Sequence, residues 1–257
     1  MTEHGDWEDA GGSGEPDEMA SATWSTAQNQ PQDPSYDALR TGFTASVSHE
    51  LRTPLARILV LLDSADLPGA DIQALLDQAR AEVHNAGALI DEILFLSELE
   101  SRMEVVSLGR TNALPVIEQV LDQLEARAAR AGLTLRADGD PGIDLPLRPR
   151  MLRILAENLA ENAIRYAGHG ATFTLSVMHE GGANVLLAAD DGIGVNESDL
   201  PRLFERFWRA DAARATRGTG LGLAIVKHVV VAAGGTVDAS GDRGQGLQVR
   251  CTFPVRP

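Results

Sequence analysis

Cysteine is nearly absent from this sequence: Cys251 is the single one in 257 residues. No internal disulfide can form, which removes the disulfide-stapled secreted domains and points to a reduced, cytoplasmic setting. There Cys251, in a run of strand-like residues, is a small core side chain. Aromatic residues make up only 4%. The basic residues are almost all arginine and form no dense stripe interleaved with aromatics, so nucleic-acid binding has no support. Long hydrophobic runs are missing too. None reaches the roughly 18 residues a membrane span needs, the longest candidates being interrupted by Arg57 or by Lys227 and His228. The N-terminus, acidic and rich in Gly, Ser and Pro, lacks the form of a signal peptide.

Lys and Arg are also missing from residues 1 to 39, which hold nine carboxylates (Glu3, Asp6, Glu8, Asp9, Glu15, Asp17, Glu18, Asp33 and Asp37). Those nine carry most of the net charge of −15; the other 28 acids face 22 bases, so the rest of the chain is only mildly acidic. With 44% hydrophobic residues the chain as a whole can bury an ordinary core. Residues 1 to 35 have too few apolar side chains to offset ordering entropy and read as an acidic disordered tail. It is a solubilising leader or, through Trp7 and Trp24, a docking segment.

From Tyr36 to about Leu62, apolar residues fall at Phe43, Val47, Leu51, Pro54, Ile58 and Leu62, the period of an amphipathic helix. A breaker follows at Asp66-Leu67-Pro68-Gly69. Ile72, Leu76, Ala79, Val83, Ala86, Ile90 and Ile93 then alternate steps of four and three, a heptad pattern reaching toward Glu100. Two helices on the order of 40 Å long at about 1.5 Å per residue cannot cover each other's apolar stripes. A second copy would cover them, giving a four-helix bundle across a homodimer.

After a turn region around Val105 to Asn112 the pattern becomes mixed. Helices are expected over Pro115 to Ala131, Pro149 to Tyr166 and about Leu221 to Ala233. Leu152, Leu155, Leu159 and Ala163 share one side of the second. Strands are expected at Leu133 to Ala137, Thr172 to Met178, Asn184 to Ala189, Thr236 to Ala239 and Leu247 to Phe253. The fold class is therefore α+β: a helical hairpin over 36–103, then a two-layer α/β sandwich over 104–257.

His49 stands two positions from both Val47 and Leu51, so at about 100° per residue it points roughly 200° from the apolar stripe, into solvent. Thr53, four residues on, shares its face, and Glu50 is its neighbour. Pro54 cannot donate to the Glu50 carbonyl and should bend the helix just past the histidine. Further on, Asn158, Asn162, Arg165 and Tyr166 sit near one helical face. Neutral amides can complete the shell of a magnesium ion that arrives bound to phosphates, and an arginine answers phosphate charge. A strand then ends in Asp190-Asp191-Gly192-Ile193-Gly194, and a later turn reads Gly218-Thr219-Gly220-Leu221-Gly222 before a helix. Such glycines let backbone N–H groups approach phosphate oxygens, and a helix start adds a favourable dipole.

The ordered series of His-Glu-Leu-Arg-Thr-Pro, Asn-x-x-x-Asn-Ala, Asp-x-Gly-x-Gly, Phe204-Glu-Arg-Phe207-Trp-Arg and Gly-Thr-Gly-Leu-Gly-Leu resembles the catalytic core of the sensor histidine kinases of two-component systems. The resemblance covers about residues 36 to 257. It implies a dimerisation and phosphotransfer hairpin followed by a Bergerat-type ATP-binding domain related to those of gyrase, Hsp90 and MutL. It implies an ATP- and Mg2+-dependent enzyme that autophosphorylates His49 and passes the phosphoryl group to an aspartate of a response regulator.

Position by position, the resemblance makes Glu50 the acid/base or orienting neighbour of His49, fixing its tautomer and absorbing charge as the N–P bond forms. It makes Thr53 the residue that positions water for dephosphorylating the regulator. Asn162 matches the magnesium ligand, with Asn158 beside it, Arg165 the phosphate contact and Tyr166 the aromatic at the nucleotide. Asp190 matches the acceptor of the adenine amino group, in a pocket shaped by Gly192 and Gly194. Phe204 and Phe207 would anchor a lid over roughly Arg209 to Arg217, with Gly218, Thr219, Gly220, Leu221 and Gly222 as its phosphate-facing hinge.

Other histidines offer little. His84 is followed by Asn85 rather than a carboxylate, His4, His169 and His179 lack metal-ligand spacing, and Lys227 and His228 flank a buried helix. Two departures from the family pattern stand out. Asp191 occupies a position often Asn, adding negative charge near the nucleotide, and the usual membrane and sensory segments are absent. The chain thus reads as a soluble kinase governed by a partner or by its tail, or as the cytoplasmic part of something longer. The rival readings are a Bergerat-fold ATPase and a degenerate nucleotide-binding scaffold.

Overall fold

The computed structural model describes residues 34–101, 109–210 and 218–255. The acidic tail up to residue 33, expected to be disordered, lies outside the described residues, as do 211–217 of the expected lid and 102–108 of the expected turn region. Helix α1 (Pro34–Ala65) runs through Pro54 without interruption, and α2 (Ile72–Ser101) follows it. The breaker between them closes by short-range bonds, Leu67 N–H to Ser64 O and Ala70 N–H to Leu67 O, with Gly69 at φ +81°. Asp71 then accepts the Ala74 N–H on its side chain at 3.1 Å and caps α2. Arg57 reaches across to the buried Glu82 at 3.8 Å.

The heptad stripe of α2 divides between two environments. Ala79 is buried, whereas Val83 is 57% exposed and Ile72, Leu76 and Ile90 are exposed too. On α1, Leu55, Leu59, Val60 and Leu62 are likewise exposed, so the hairpin leaves a continuous set of large apolar side chains uncovered. The far end of α2 turns a different face inward: Leu89, Leu96 and Leu99 join the core of the α/β domain.

That domain opens with β1 (Thr111–Asn112), which pairs antiparallel with β3 (Asp144–Leu145). Between them lie α3 (Ala113–Ala131) and β2 (Thr134–Gly139). Gly132 ends α3 in the left-handed region at φ +72°, and Leu133 N–H returns to Ala128 O, a terminus only glycine enters without strain. Helix α4 (Pro149–Tyr166) starts on proline, whose missing N–H costs nothing there. Strands β4 (Thr172–Glu180) and β5 (Ala183–Asp190), helix α5 (Gly222–Ala232), and strands β6 (Thr236–Asp242) and β7 (Gly246–Pro254) complete it. A 3-10 turn spans Glu197–Arg202.

The sheet order is β2-β4-β5-β7-β6. β2 runs parallel to β4, and the other pairs are antiparallel. Leu152, Leu155, Leu159 and Ala163 of α4 and Ile225, Val226 and Val229 of α5 are buried with Phe173, Leu175, Val249, Cys251 and Phe253 of the sheet. The fold is the expected hairpin followed by a two-layer α/β sandwich. Cys251 is a fully buried core thiol, and burial pushes its pKa up to about 12. Among the described residues no helix is long and apolar enough to cross a membrane.

Candidate functional site

Three chain segments meet at the C-terminal half of α4. The first is α4 itself. Arg153 of α4 donates to Gln123 at 3.0 Å and to Gln119 at 2.6 Å on α3, which fixes the helix against its neighbour. One face of its last two turns carries Asn158, Asn162, Arg165 and Tyr166, all half-buried. Asn158 donates its amide N–H to Ile154 O at 2.8 Å, and its Oδ1 lies toward Gly222, where an added Cβ would stand only 2.9 Å away. Arg165 is held by Glu161 at 2.6 Å, and the other Glu161 oxygen accepts from Arg127 of α3 at 2.7 Å.

The second segment is the turn after β5. Asp190 accepts the Gly192 N–H at 3.0 Å. Burial raises its pKa, the Gly192 and Leu247 N–H groups oppose that, and neighbouring Asp191 adds to it. A Cβ on Gly192 would sit 2.0 Å from Ala167 O, and Ile193 N–H donates to that same oxygen at 2.9 Å. The Asp190–Gly194 turn is thus strapped to the end of α4, and glycine is what allows the approach.

The third is the glycine turn before α5. Gly218 lies against the Tyr166 hydroxyl, where a Cβ would come within 2.7 Å, with an Arg165 nitrogen at 3.6 Å. Thr219 Oγ accepts the Leu221 N–H at 3.3 Å and donates to Glu92 of α2 at 2.6 Å. Gly220 accepts the Phe207 N–H at 3.0 Å. Phe207 is a non-glycine residue in the left-handed region, φ 60°; with Phe204 it packs on the core, and Arg202 stacks on Trp208 with its guanidinium 5.4 Å from the ring centre.

Together these segments bring a guanidinium, a hydroxyl and a helix N-terminus to one face, a donor set suited to phosphate oxygens. A half-buried carboxylate stands beside it on the neighbouring turn. The Thr219 hydroxyl donates to a carboxylate oxygen, that of Glu92, at 2.6 Å. Among the described residues no cluster of three or more His, Cys, Asp or Glu is placed to hold a metal. A magnesium ion here would draw its ligands from phosphates and water with the Asn162 amide, which fits the residues present.

His49, Glu50 and Thr53 are not brought to this face. His49 is exposed on α1 and lines a groove of about 610 Å3 with Arg52, Thr53 and Arg57 of α1 and Gln78 and Glu82 of α2, without any α/β-domain residue. Thr53 Oγ donates weakly to the His49 carbonyl at 3.4 Å. Two side chains at this site, Glu161 of α4 and Glu92 of α2, are not expected from the sequence. Glu161 was legible in principle, four residues before Arg165 on one helix; Glu92 carried no signal at all.

Comparison with known families agrees with this layout. Residues 39–102 match the His Kinase A (phospho-acceptor) domain, and residues 148–257 match the Histidine kinase-, DNA gyrase B-, and HSP90-like ATPase family. The Sensor-like histidine kinase SenX3 of Mycolicibacterium smegmatis is 33% identical over 227 residues, covering 86% of this chain and 59% of that protein. The chain spans about half the length of the curated relatives it matches. Among solved structures, the Acinetobacter baumannii histidine kinase AdeS superposes with a TM-score of 0.63 at 26% identity, covering 81% of this chain and 98% of that one. Full-length ShkA in complex with AMPPNP gives 0.62 at 27% identity, covering 82% and 45% respectively.

Proposed function

The chain belongs to the sensor histidine kinases of two-component systems, and from that premise we propose that it autophosphorylates His49 with ATP and passes the phosphoryl group to an aspartate of a response regulator. The observation that carries this reading is the convergence of Arg165, Tyr166, Asp190 and the Gly218–Gly222 turn on one face, in a chain that also presents an exposed His49 beside Glu50 on the preceding hairpin.

The nucleotide's adenine end belongs beside Asp190, whose ionised carboxyl accepts from an amino group while Gly192 and Gly194 let the turn close on α4. Tyr166 and Gly218 flank the path toward the phosphates, and Arg165, Thr219 and the α5 N-terminus answer their charge. Asn162, with Asn158 beside it, would hold magnesium, which supplies further neutralisation of phosphate charge. On the hairpin, His49 presents an exposed imidazole as nucleophile. Glu50 fixes its tautomer and takes up charge as the N–P bond forms and the bond to the leaving ADP breaks.

The α/β domain must approach His49 for transfer, because the two lie in separate grooves here. The uncovered Leu55, Leu59, Val60 and Val83 side chains support a homodimer that closes a four-helix bundle over that apolar face; sedimentation should return twice the chain mass. Thr53 lines the same groove as His49, which supports a second activity, dephosphorylation of the same regulator. The buried thiol of Cys251 suits a reduced cytoplasmic setting.

Incubation with labelled ATP should give an acid-labile, base-stable phosphoprotein that His49→Gln abolishes. Retained label in that variant overturns the assignment. A panel of purified response regulators, tested for rapid transfer from the labelled protein, identifies the partner.

A further inference from the structure

Glu92 is where the hairpin and the α/β domain meet chemically. Its carboxylate accepts the Thr219 hydroxyl at 2.6 Å across 127 positions of sequence. That same hydroxyl is tied to the Leu221 N–H, one residue before α5 begins. The Glu92 charge therefore stands at the positive end of α5, and it also feels Arg165. Hydroxyl, helix N-terminus and guanidinium are the three donors assigned above to phosphate oxygens.

The contact is held in place rather than incidental. Leu89, Leu96 and Leu99, on the turns flanking Glu92, are buried in the domain core. Phe95 and Ile225 line, with Asp91, Glu157, Asn158 and Glu92 itself, a groove of about 300 Å3 between α2, α4 and α5. Burying a carboxylate is costly unless something compensates it; desolvation is the largest influence on Glu92 and raises its pKa, while the Thr219 hydroxyl and Arg165 act in the opposite sense.

We propose that Glu92 is a built-in competitor for the phosphate end of the nucleotide, an autoinhibitory contact in which α2 lays a carboxylate on donors that ATP phosphates require. The proposal rests on the reading of the Gly218–Gly222 turn as phosphate-facing. Nucleotide and α2 then exclude each other at Thr219. Phosphate binding releases the domain from this part of the hairpin, which frees it to travel toward His49.

The test is equilibrium binding of ATP and of adenosine to the full chain, wild type against Glu92→Gln and Glu92→Ala, with a thermal unfolding trace for each. Removing the competing charge should tighten ATP binding roughly tenfold, the scale of one charge-assisted hydrogen bond, and leave adenosine binding unchanged because adenosine has no phosphate to compete. Glu92→Gln is near-isosteric and keeps the fold testable if the alanine variant unfolds. Unchanged or weaker ATP binding in a folded variant overturns the proposal. So does an equal gain for adenosine, or an equal gain from Asp91→Asn, which removes a neighbouring exposed carboxylate without touching Thr219. A wild-type chain that binds neither ATP nor adenosine would instead overturn the underlying reading of the site.

Discussion

The carboxylate of Asp191 accepts the backbone N–H of Thr172 at 2.6 Å, and Asp191 N–H returns to Thr172 O at 3.3 Å. The residue that departs from the family pattern, expected to load negative charge onto the nucleotide pocket, thus ties the Asp190–Gly194 turn to the first residue of β4. Asparagine can offer the same acceptor oxygen. Asp191→Asn should therefore leave thermal stability nearly unchanged and, by removing a like charge beside Asp190, tighten nucleotide binding slightly. Asp191→Ala should cost about 1 kcal/mol in chemical denaturation, because the N–H of Thr172 loses its partner.

Asp190 carries the pH dependence. Burial holds its pKa above the ordinary 3.8, and the ionised form is the stronger acceptor for an adenine amino group. As pH falls through that raised pKa the carboxylate protonates, so nucleotide affinity should decline at a higher pH than an unperturbed aspartate would give. Stability moves in the other direction. The cost of the buried charge is fully present above the raised pKa and vanishes below the unfolded value, so this group's contribution to stability improves on acidification. Asp190→Asn should remove the acid-side step in a binding titration and weaken ATP binding by roughly tenfold or more. An identical pH profile in that variant would place the step elsewhere.

Phe207 and Gly220 share a backbone bond and a constraint. Both have positive φ, 60° and 71°, and a Cβ on Gly220 would meet the Phe207 carbonyl carbon at 2.7 Å. The pair joins the two ends of the segment that includes the expected lid. Gly220→Ala should lose about 1–3 kcal/mol through strain and forced separation, read as a lower denaturation midpoint with weaker ATP binding.

Periodic features were legible in the sequence, and features made by one or two residues were not. Pro149–Tyr166 is a helix over the expected bounds, with Leu152, Leu155, Leu159 and Ala163 facing the core, because eighteen residues carry five turns of pattern. Thr111–Asn112 and Asp144–Leu145 pair over two residues each, too few for any period to register. The heptad of α2 reads as a single seam, the inner stripe of a helical bundle, along its whole length. The structure gives its two ends different partners, so Leu89, Leu96 and Leu99 serve the α/β core while Val83 and Ile90 stay outside. The glycine positions were expected to approach phosphate, yet Gly192 and Gly220 are also fixed by contacts with Ala167 and Phe207. Sequence motifs name the residue without naming which neighbour demands it.

Thr53 separates the two proposed activities. Its hydroxyl makes a single long bond to the His49 carbonyl at 3.4 Å on the exposed face of α1, so its loss removes little from the helix, well under 1 kcal/mol by the scale of a weak, solvated hydrogen bond. The imidazole and Glu50 remain where they are in Thr53→Ala, and autophosphorylation of His49 should proceed at near the wild-type rate. Positioning a water for attack on an aspartyl phosphate needs that hydroxyl in a defined place, and its removal should slow dephosphorylation of a phosphorylated regulator by roughly 10²-fold, within the range for a positioned proton-transfer group. Thr53→Ser, which keeps the hydroxyl, should restore most of the rate. Equal loss of both activities in Thr53→Ala would make the residue a support for α1 rather than a water-positioning group.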